Sequence, residues 1–258
     1  MSNIWNKQAE TMKRADIEAL QLERLKWTVD YCINNVKFYH DRLTPLGITG
    51  DKIKCLKDIE YIPYTTKTDL RDNYPFGLFA VPQKDIVRIH ASSGTTGKPT
   101  VVGYTKNDLA NWAEAIARIV TAAGATSDDI VQICFGYGMF TGALGLHYGL
   151  EKIGASVVPT SSGNTQKQLM FMRDFGTTAL VATPSYALYL SESAKELEFP
   201  MSDYHLSLGL LGSEGCTEEM RQRIEENLGV TVTVVGPGAE SEIEQQVSMI
   251  EQQIGAGC

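Results

Sequence analysis

From about residue 129 onward, short apolar segments alternate with helical segments, and this alternation constrains the fold more than any other feature of the sequence. In chain order the segments are strand 129–135, helix 141–153, strand 155–159, helix 165–175, strand 178–182, helix 186–196, strand 206–211, helix 217–228 and strand 231–235. The strand segments are apolar on both faces, which is typical of parallel strands covered by helices on each side. The sequence therefore predicts an α/β fold with mostly parallel sheet flanked by helices.

The residues before this alternation predict helices and two short strands. Apolar residues recur at helical spacing over 17–39 and over 106–123, and a further helix is expected to begin with Thr66 or Thr68 as its N-cap. Short strands are expected over 86–91 and again from residue 100. Because no long linker interrupts the chain, residues 1–236 are interpreted as one folding unit.

The last 22 residues, 237–258, differ in character from the rest. Ile243, Val247, Ile250 and Ile254 follow the a and d positions of two heptads, between glycine-containing turns. Two heptads are too few for an independent coiled coil. The pattern predicts a C-terminal amphipathic helix, which either packs on the body of the protein or forms an oligomer contact.

Composition and charge exclude several classes of function. The 258 residues carry 23 Lys and Arg against 31 Asp and Glu, a formal charge of −8, without the basic cluster expected of a nucleic-acid-binding surface. No apolar run approaches the roughly 18 residues of a membrane span, and the first residues lack a signal-peptide pattern. Five scattered cysteines argue against a disulfide framework or zinc site. We therefore expect a cytoplasmic protein without nucleic-acid or membrane partners.

The segment from His90 to Thr100 is the strongest candidate for a ligand site. Its glycines allow backbone N–H groups to approach an anion, its hydroxyls add donors and its lysine adds a cation. The candidate nucleotide-binding residues here are Ser92, Ser93, Gly94, Thr95, Thr96, Gly97 and Lys98. It is not a Walker P-loop, because two residues separate the glycines and Pro99 follows the lysine. The loop is expected to lead into a strand; the alternative is a plain hydrophilic turn.

Residues 92–99, Ser-Ser-Gly-Thr-Thr-Gly-Lys-Pro, resemble the phosphate-binding signature of the adenylate-forming enzymes. Segments 62–71, 135–143, 154–159 and 182–186 resemble phenylacetate–CoA ligases within that superfamily, and the resemblance extends over roughly residues 3–230. It implies a two-step reaction in which ATP and an arylacetate form an acyl-adenylate, and CoA then displaces AMP to give a thioester. ATP, Mg²⁺ and CoA are the implied cofactor and co-substrates, and a small aryl acid is the implied substrate.

A second candidate site follows the first predicted strand of the sheet, at 135–143. Small residues at 136, 138, 142 and 143 leave room beside two aromatic residues that suit the walls of an aromatic pocket. The resemblance favours an acyl pocket built from Tyr137, Phe140, Gly142 and Ala143, with Tyr137 as its main wall. The alternative is that both aromatic residues belong to the core.

A third candidate, Gly212, Ser213 and Glu214, lies between a predicted strand and a predicted helix, the ligand-binding edge of a parallel sheet. It resembles the family's Gly-Ala-Glu-Pro segment, which implies contact with the adenine and the acyl group. Alternatively, Glu214 caps the helix that follows. The segment 161–165 is interpreted as a turn near the site.

After Val230 the resemblance ends. The expected motif whose glutamate holds magnesium does not appear, so no catalytic or metal-binding residue is assigned, and the small C-terminal domain of the family is not expected within these 258 residues. Three alternatives stay open: a truncated ligase domain with impaired activity, a ligase completed by another chain, or a non-catalytic nucleotide-binding or assembly module. The oligomeric state also stays open, with a homodimer as one option.

Overall fold

The computed structural model describes residues 3–92, 98–139 and 141–235, which divide into two compact units. The described part of the first comprises residues 3–7, 112–138 and 142–235, and we name it the sheet unit. The second comprises residues 8–92, 98–111, 139 and 141, and we name it the hairpin unit. Both units contain candidate ligand-binding residues, and each unit is described separately.

The sheet unit is built on a five-stranded sheet in which every neighbouring pair is parallel. Its strands are β3 (Ile130–Ile133), β4 (Ser156–Val158), β5 (Ala179–Ala182), β6 (Leu208–Gly212) and β7 (Thr231–Val235). Their spatial order is β4-β3-β5-β6-β7. The predicted α/β fold with a parallel sheet is therefore confirmed.

Helices cover both faces of this sheet. They are the carboxyl-terminal part of α5 (Lys106–Ala122), α6 (Gly142–Ile153), α7 (Thr165–Asp174), α8 (Pro184–Glu196) and α9 (Glu218–Leu228). Leu180 and Ala182 of β5 belong to a buried cluster with α7, α8 and α9, whereas Ala179 and Val181 belong to a cluster with α5 and α6. Successive residues of a strand point to opposite faces, so the strand is apolar throughout.

Local sequence determines where these helices begin and end. The side chains of Asn164, Thr183 and Thr217 accept hydrogen bonds from backbone N–H groups in the first turns of α7, α8 and α9. Gly229 ends α9 with a φ of 67°, a conformation that glycine adopts without a steric penalty. The helices α7, α8 and α9 follow β4, β5 and β6 in the chain, so each begins after the carboxyl end of a strand.

The hairpin unit is mainly helical and contains one antiparallel strand pair. Its described elements are α1 (Lys7–Glu10), α2 (Arg14–Asn35), α3 (Lys37–Leu43), α4 (Lys67–Asp72), β1 (Arg88–Ala91) and β2 (Val101–Tyr104), with short 3₁₀ turns between several of them. Ala91 pairs with Val101, so β1 and β2 enclose residues 92–100. The predicted strand–loop–strand arrangement is confirmed, as is Thr66 as the N-cap of α4.

Two predictions from the sequence need comment. The single helix expected over 17–39 is divided, because Val36 adopts an extended conformation between α2 and α3. The apolar periodicity continues through this break, which is why the sequence pattern did not reveal it. The predicted C-terminal helix at 237–258 lies outside the described residues. That residues 1–236 form one folding unit stays a prediction.

Candidate functional site

The order of the strands creates a crevice at one edge of the sheet. From β3 the chain passes to β4 on one side, and the next strand, β5, lies on the other side of β3. At such a reversal the connections leave the carboxyl ends of the two central strands in opposite directions and leave a gap between them. In parallel α/β sheets this gap is the usual position of a bound ligand.

A cavity of about 510 Å³ opens at this reversal, and we name it the sheet-edge cavity. Its lining comes from the segment after β3, the loop after β4 and the start of α8: Cys134, Phe135, Gly136, Ser162, Thr183, Ser185, Tyr186 and Tyr189. The rings of Tyr186 and Tyr189 lie 6.2 Å apart between centroids, on adjacent turns of α8. Aromatic walls with a few hydroxyl groups suit a flat organic ring carrying polar substituents.

The segment after β6 joins this edge through Glu214. Its carboxylate Oε1 accepts a hydrogen bond of 2.6 Å from the backbone N–H of Ser185, in the first turn of α8. Burial raises the pKa of Glu214, but hydrogen bonds from Ser185 and Thr183 outweigh that effect, so the net pKa lies below its usual value. The alternative that Glu214 caps the following helix is wrong. The side chain of Thr217 caps α9, and Glu214 contacts α8 instead.

The two residues before Glu214 fix the direction in which it leaves the sheet. A Cβ atom on Gly212 would lie 2.0 Å from the carbonyl oxygen of Val235 in β7, so only glycine fits there. Ser213 has a φ of 70°, a left-handed conformation that costs a residue with a side chain about 1 kcal/mol or more. The chain therefore turns sharply between β6 and Glu214, in a backbone geometry that is held by its surroundings.

Behind the cavity lies a buried pair of glutamines. Gln132 of β3 and Gln168 of α7 are 0% and 2% exposed. The Gln132 Nε2 group donates to the Gln168 carbonyl oxygen at 3.1 Å and to its side-chain Oε1 at 2.7 Å. The Oε1 of Gln132 accepts from the hydroxyl of Thr177 at 3.4 Å. Buried amides are tolerated only when satisfied in this way, so the pair is a fixed structural element.

Cys134 lines the sheet-edge cavity but is not suited to act as a nucleophile. Its thiol lies 3.4 Å from the Gln168 Oε1, and burial raises its pKa to about 11. A thiol with this pKa is protonated at neutral pH, whereas nucleophilic cysteines require the thiolate. The described residues of the cavity are therefore suited to bind and orient a ligand.

The residues predicted for the acyl pocket separate into different environments. Tyr137 is half-buried against the α5–α6 side of the core, and its hydroxyl lies 3.2 Å from Nδ1 of His147, whose Nε2 lies 3.1 Å from Glu151. Burial, reinforced by the negative charge of Glu151, raises the pKa of Tyr137 to about 12. Tyr137 packs against this part of the core and does not line the sheet-edge cavity.

The small residues around Tyr137 also differ from one another. A Cβ atom added to Gly138 or Gly142 would meet nothing within 4 Å, so both glycines border open space. Ala143, in contrast, is 2% exposed and belongs to the buried core. Phe140 lies outside the described residues. The role of these residues in an acyl pocket stays a prediction.

The Ser/Thr/Gly-rich loop is described only at its ends. The Ser92 backbone N–H donates to the Thr100 carbonyl oxygen, and the Thr100 N–H donates to the Ser92 hydroxyl, both at 2.9 Å. The Lys98 ammonium lies 5.7 Å from the centre of the Tyr74 ring, within the range of a cation–π contact. The five candidate residues between them, Ser93, Gly94, Thr95, Thr96 and Gly97, lie outside the described residues.

Sequence reasoning did not identify several residues of this edge. Tyr186 was covered only by the resemblance at 182–186, and Tyr189 only by the predicted helix 186–196. Aromatic residues at the start of a helix that follows a buried strand are nevertheless a recognisable signal. Gln132 and Gln168 left no signal, because a glutamine in an apolar strand or amphipathic helix is normally interpreted as surface. The turn predicted at 161–165 lies in the segment between β4 and the start of α7, and its Ser162 lines the cavity; its place beside a ligand stays a prediction.

Within residues 3–92, 98–139 and 141–235 there is no group of three or more His, Cys, Asp or Glu side chains that could hold a metal ion. The side chain of Glu214 is already engaged by α8. We derive no step through the magnesium ion that the resemblance implies. Among the same residues, no helix combines the length and apolarity needed to cross a membrane.

Comparison with known proteins connects this geometry to a family. The sequence profile described as AMP-binding enzyme matches residues 50–238, which include most of both units. The chain belongs to the AMP-binding enzyme family. Within that family, it is 45% identical over 243 residues to the phenylacetate–coenzyme A ligase of Pseudomonas putida, and 47% identical over 241 residues to the enzyme of that name from Escherichia coli (strain K12).

Both comparisons cover 90% of this AMP-binding chain and 55% of the other protein, so the chain spans about half the length of the curated relatives it matches. Solved structures give the same result for the fold. A 2-hydroxyisobutyryl-CoA ligase in complex with 2-HIB-AMP and CoA, in its thioesterification state, superimposes with a TM-score of 0.84 at 29% identity. That superposition covers 95% of this chain and 53% of the ligase.

Proposed function

We propose that this AMP-binding enzyme is a phenylacetate–CoA ligase that forms AMP. The observation that carries the proposal is 44–47% identity to four phenylacetate–coenzyme A ligases over at least 90% of the chain. In this reaction the aryl carboxylate attacks the α-phosphorus of ATP, and pyrophosphate leaves. The CoA sulfur then attacks the carbonyl carbon of the acyl-adenylate, and AMP leaves.

The geometry of the sheet edge supports this chemistry. Adenylation makes one carboxylate oxygen a good leaving group without a protein nucleophile, so the protein's task is to position reactants and stabilise charge. The sheet-edge cavity offers aromatic walls and hydroxyls for this purpose, and its only described thiol, that of Cys134, is protonated at neutral pH. We place the nucleotide base beside Gly212, Ser213 and Glu214, and the polyphosphate at Ser92 to Lys98.

The acyl pocket is proposed at Tyr137, Phe140, Gly142 and Ala143. The open space beside Gly138 and Gly142 supports room for an aryl group, and the fixed position of the Tyr137 ring against His147 supports a rigid wall. Tyr137→Ala should raise the dissociation constant for phenylacetate without an equal loss of stability. A change in stability alone would favour the core interpretation of Tyr137.

The experiment that tests the function mixes the full chain with ATP, Mg²⁺, phenylacetate and CoA. Formation of AMP and phenylacetyl-CoA is followed by chromatography, and ATP binding is followed by calorimetry. We expect this chain to bind ATP, and ATP binding is the readout that decides the proposal. Absence of ATP binding would contradict the proposed function. A cytoplasmic location, which ATP and CoA favour, and a homodimer stay predictions.

A further inference from the structure

The loop between β4 and α7, residues 160–164, is held in an unusual backbone conformation. Ser161, Gly163 and Asn164 have φ values of 62°, 89° and 49°. Two of these three residues carry side chains. A residue with a side chain adopts the left-handed conformation only where surrounding contacts compensate for its steric cost. The loop contributes Ser162, with an exposed side chain, to the sheet-edge cavity.

Hydrogen bonds fix this loop on both sides of Ser162. The Gln168 Nε2 group donates to the carbonyl oxygens of Ser161 at 2.8 Å and of Gly163 at 3.2 Å. The Ser161 N–H and the Thr160 hydroxyl both donate to the carbonyl oxygen of Ile133, each at 3.1 Å. The two carbonyls bound by Gln168 therefore flank Ser162 directly.

Gln168 can bind both carbonyls only because its orientation is fixed from behind. Its Oε1 accepts from Gln132 Nε2 at 2.7 Å and from the Cys134 thiol at 3.4 Å, which identifies this atom as the oxygen. Both hydrogens of its amide then point at the loop. A fully satisfied buried network of this kind defines one geometry, since any rotation of the amide leaves a buried donor or acceptor unpaired.

The Ser162 hydroxyl consequently has a defined position. Its Oγ lies 3.6 Å from the point that a Cβ atom on Gly136 would occupy, on the wall of the cavity that follows β3. We propose that Gln168 is a positioning residue: it fixes the 160–164 loop so that the Ser162 hydroxyl faces a ligand in the sheet-edge cavity. The ligand part of this inference rests on the proposed function; the positioning of the loop does not.

The test compares the full chain with Gln168→Met, Ser162→Ala and the double variant. Amide hydrogen exchange of residues 161–164 reports the loop, and calorimetric titration with ATP reports the ligand. We expect faster exchange in Gln168→Met and an increase of about fivefold in the ATP dissociation constant, the size expected for one lost hydrogen bond. In the Ser162→Ala background, Gln168→Met should have little further effect on binding, because both changes remove the same contact.

Thr177→Val is the matched control. It removes the bond to Gln132 Oε1 from the far end of the same buried network and touches no residue of the loop. It should lower the melting temperature while leaving loop exchange and ATP binding unchanged. A merely structural role for Gln168 predicts that Thr177→Val and Gln168→Met act alike, and that result would overturn the proposal.

Gly163→Ala leaves both glutamine side chains in place, strains the loop at one of the carbonyls that Gln168 binds, and is the second variant if Gln168→Met does not fold. Nothing lies within 4 Å of its new Cβ, but the φ of 89° disfavours alanine. Faster loop exchange and weaker ATP binding would support the proposal, and unchanged values of both would overturn it. If the unmodified chain binds no ATP, the proposed function fails, while loop exchange in Gln168→Met still decides the positioning role.

Discussion

The sheet-edge cavity and the Ser/Thr/Gly-rich loop are both placed directly after β-strands, but they stand on different supports. The cavity is lined from the ends of parallel strands covered by helices on both faces, with a buried glutamine pair behind it. The loop connects β1 and β2, two strands of four residues that pair only with each other among the described strands. A site of the first kind inherits its geometry from the core, whereas one of the second kind depends on local contacts.

The described ends of the Ser/Thr/Gly-rich loop make several such local contacts. Ser92 and Thr100 exchange two hydrogen bonds, and Lys98 lies over the Tyr74 ring. Next to them in β1, Nδ1 of His90 lies 3.0 Å from the Met139 carbonyl oxygen, which can only accept, so Nδ1 carries the proton. We therefore expect substitutions in the sheet unit to change mainly the free energy of unfolding. Substitutions in the hairpin unit should change mainly the dissociation constant for ATP.

The largest expected effect is that of Gly212→Ala. The new Cβ would lie 2.0 Å from a backbone carbonyl oxygen of β7, which cannot move without breaking the sheet, so we expect a loss of about 3 kcal/mol in the free energy of unfolding. Gly103→Ala in β2 is the matched variant in the hairpin. Its Cβ would meet the end of the Phe79 ring at 2.6 Å, and because a side chain can yield, a loss of about 1 kcal/mol is expected.

Urea unfolding of both variants measures this difference. Equal losses, or a larger loss for Gly103→Ala, would show that the sheet edge is no more rigid than the hairpin. Gly138→Ala, which meets nothing within 4 Å, is the control for the general effect of replacing glycine and should stay within about 0.5 kcal/mol of the unmodified chain.

The next effect is on binding and belongs to the hairpin. Lys98→Ala removes the cation proposed to contact the polyphosphate and should raise the ATP dissociation constant about tenfold, the loss expected for one charge-assisted hydrogen bond. Because Lys98 makes its described contact with an exposed ring, the unfolding midpoint should hardly change. Lys84→Ala, an exposed lysine in the same unit, is the control and should leave binding unchanged. Identical titration curves for both variants would contradict the phosphate cradle.

A smaller effect of opposite sign is expected at Ser213. Replacing it with glycine relieves the left-handed conformation and should stabilise the chain by about 0.5 kcal/mol, after subtraction of the entropy that glycine adds to the unfolded state. Glu198→Gly, at a φ of 57°, should behave similarly in thermal unfolding. Only Ser213→Gly is expected also to weaken ATP binding, since it loosens the turn that leads to Glu214. Unchanged binding would exclude a functional role for that strain.

The smallest effect is a pH dependence at Tyr137. Its pKa is raised from 10.0 to about 12 in the folded chain, so the fold favours the neutral phenol. The stability that it contributes is fully present below about pH 10 and is lost as the pH rises towards 12. Absorbance titration at alkaline pH should show a late tyrosine component that decreases in Tyr137→Phe. Tyr204, also raised to about 12, is the second contributor, and Tyr204→Phe is the matched variant. Ionisation of Tyr137 with the exposed tyrosines would contradict its burial.

The sequence predicted the fold well where one physical signal dominates. Continuous apolar segments bounded by polar turns located β5 and β7 to within one residue at either end. It could not give the order of the strands, because parallel strands with similar apolar composition contain no signal for which neighbours pair. The position of the crevice, and with it the roles of Tyr186 and Tyr189, depends on that order.

Side-chain roles at the site were harder to predict than backbone elements. Glu214 was expected beside a ligand or on the next helix, and its actual partner, Ser185, lies 29 residues earlier in the chain. Gln132 and Gln168 contact each other over 36 residues, which no local pattern reveals. Such contacts are consequences of the tertiary fold, so they become visible only when the strands are in place.

The most direct test of the central claim is a crystal structure of the chain grown with ATP and phenylacetate. We expect the adenine ring to occupy the sheet-edge cavity, against the ring of Tyr186 and within reach of the Ser162 hydroxyl. A nucleotide bound elsewhere on the chain, with the sheet-edge cavity filled only by solvent, would contradict it.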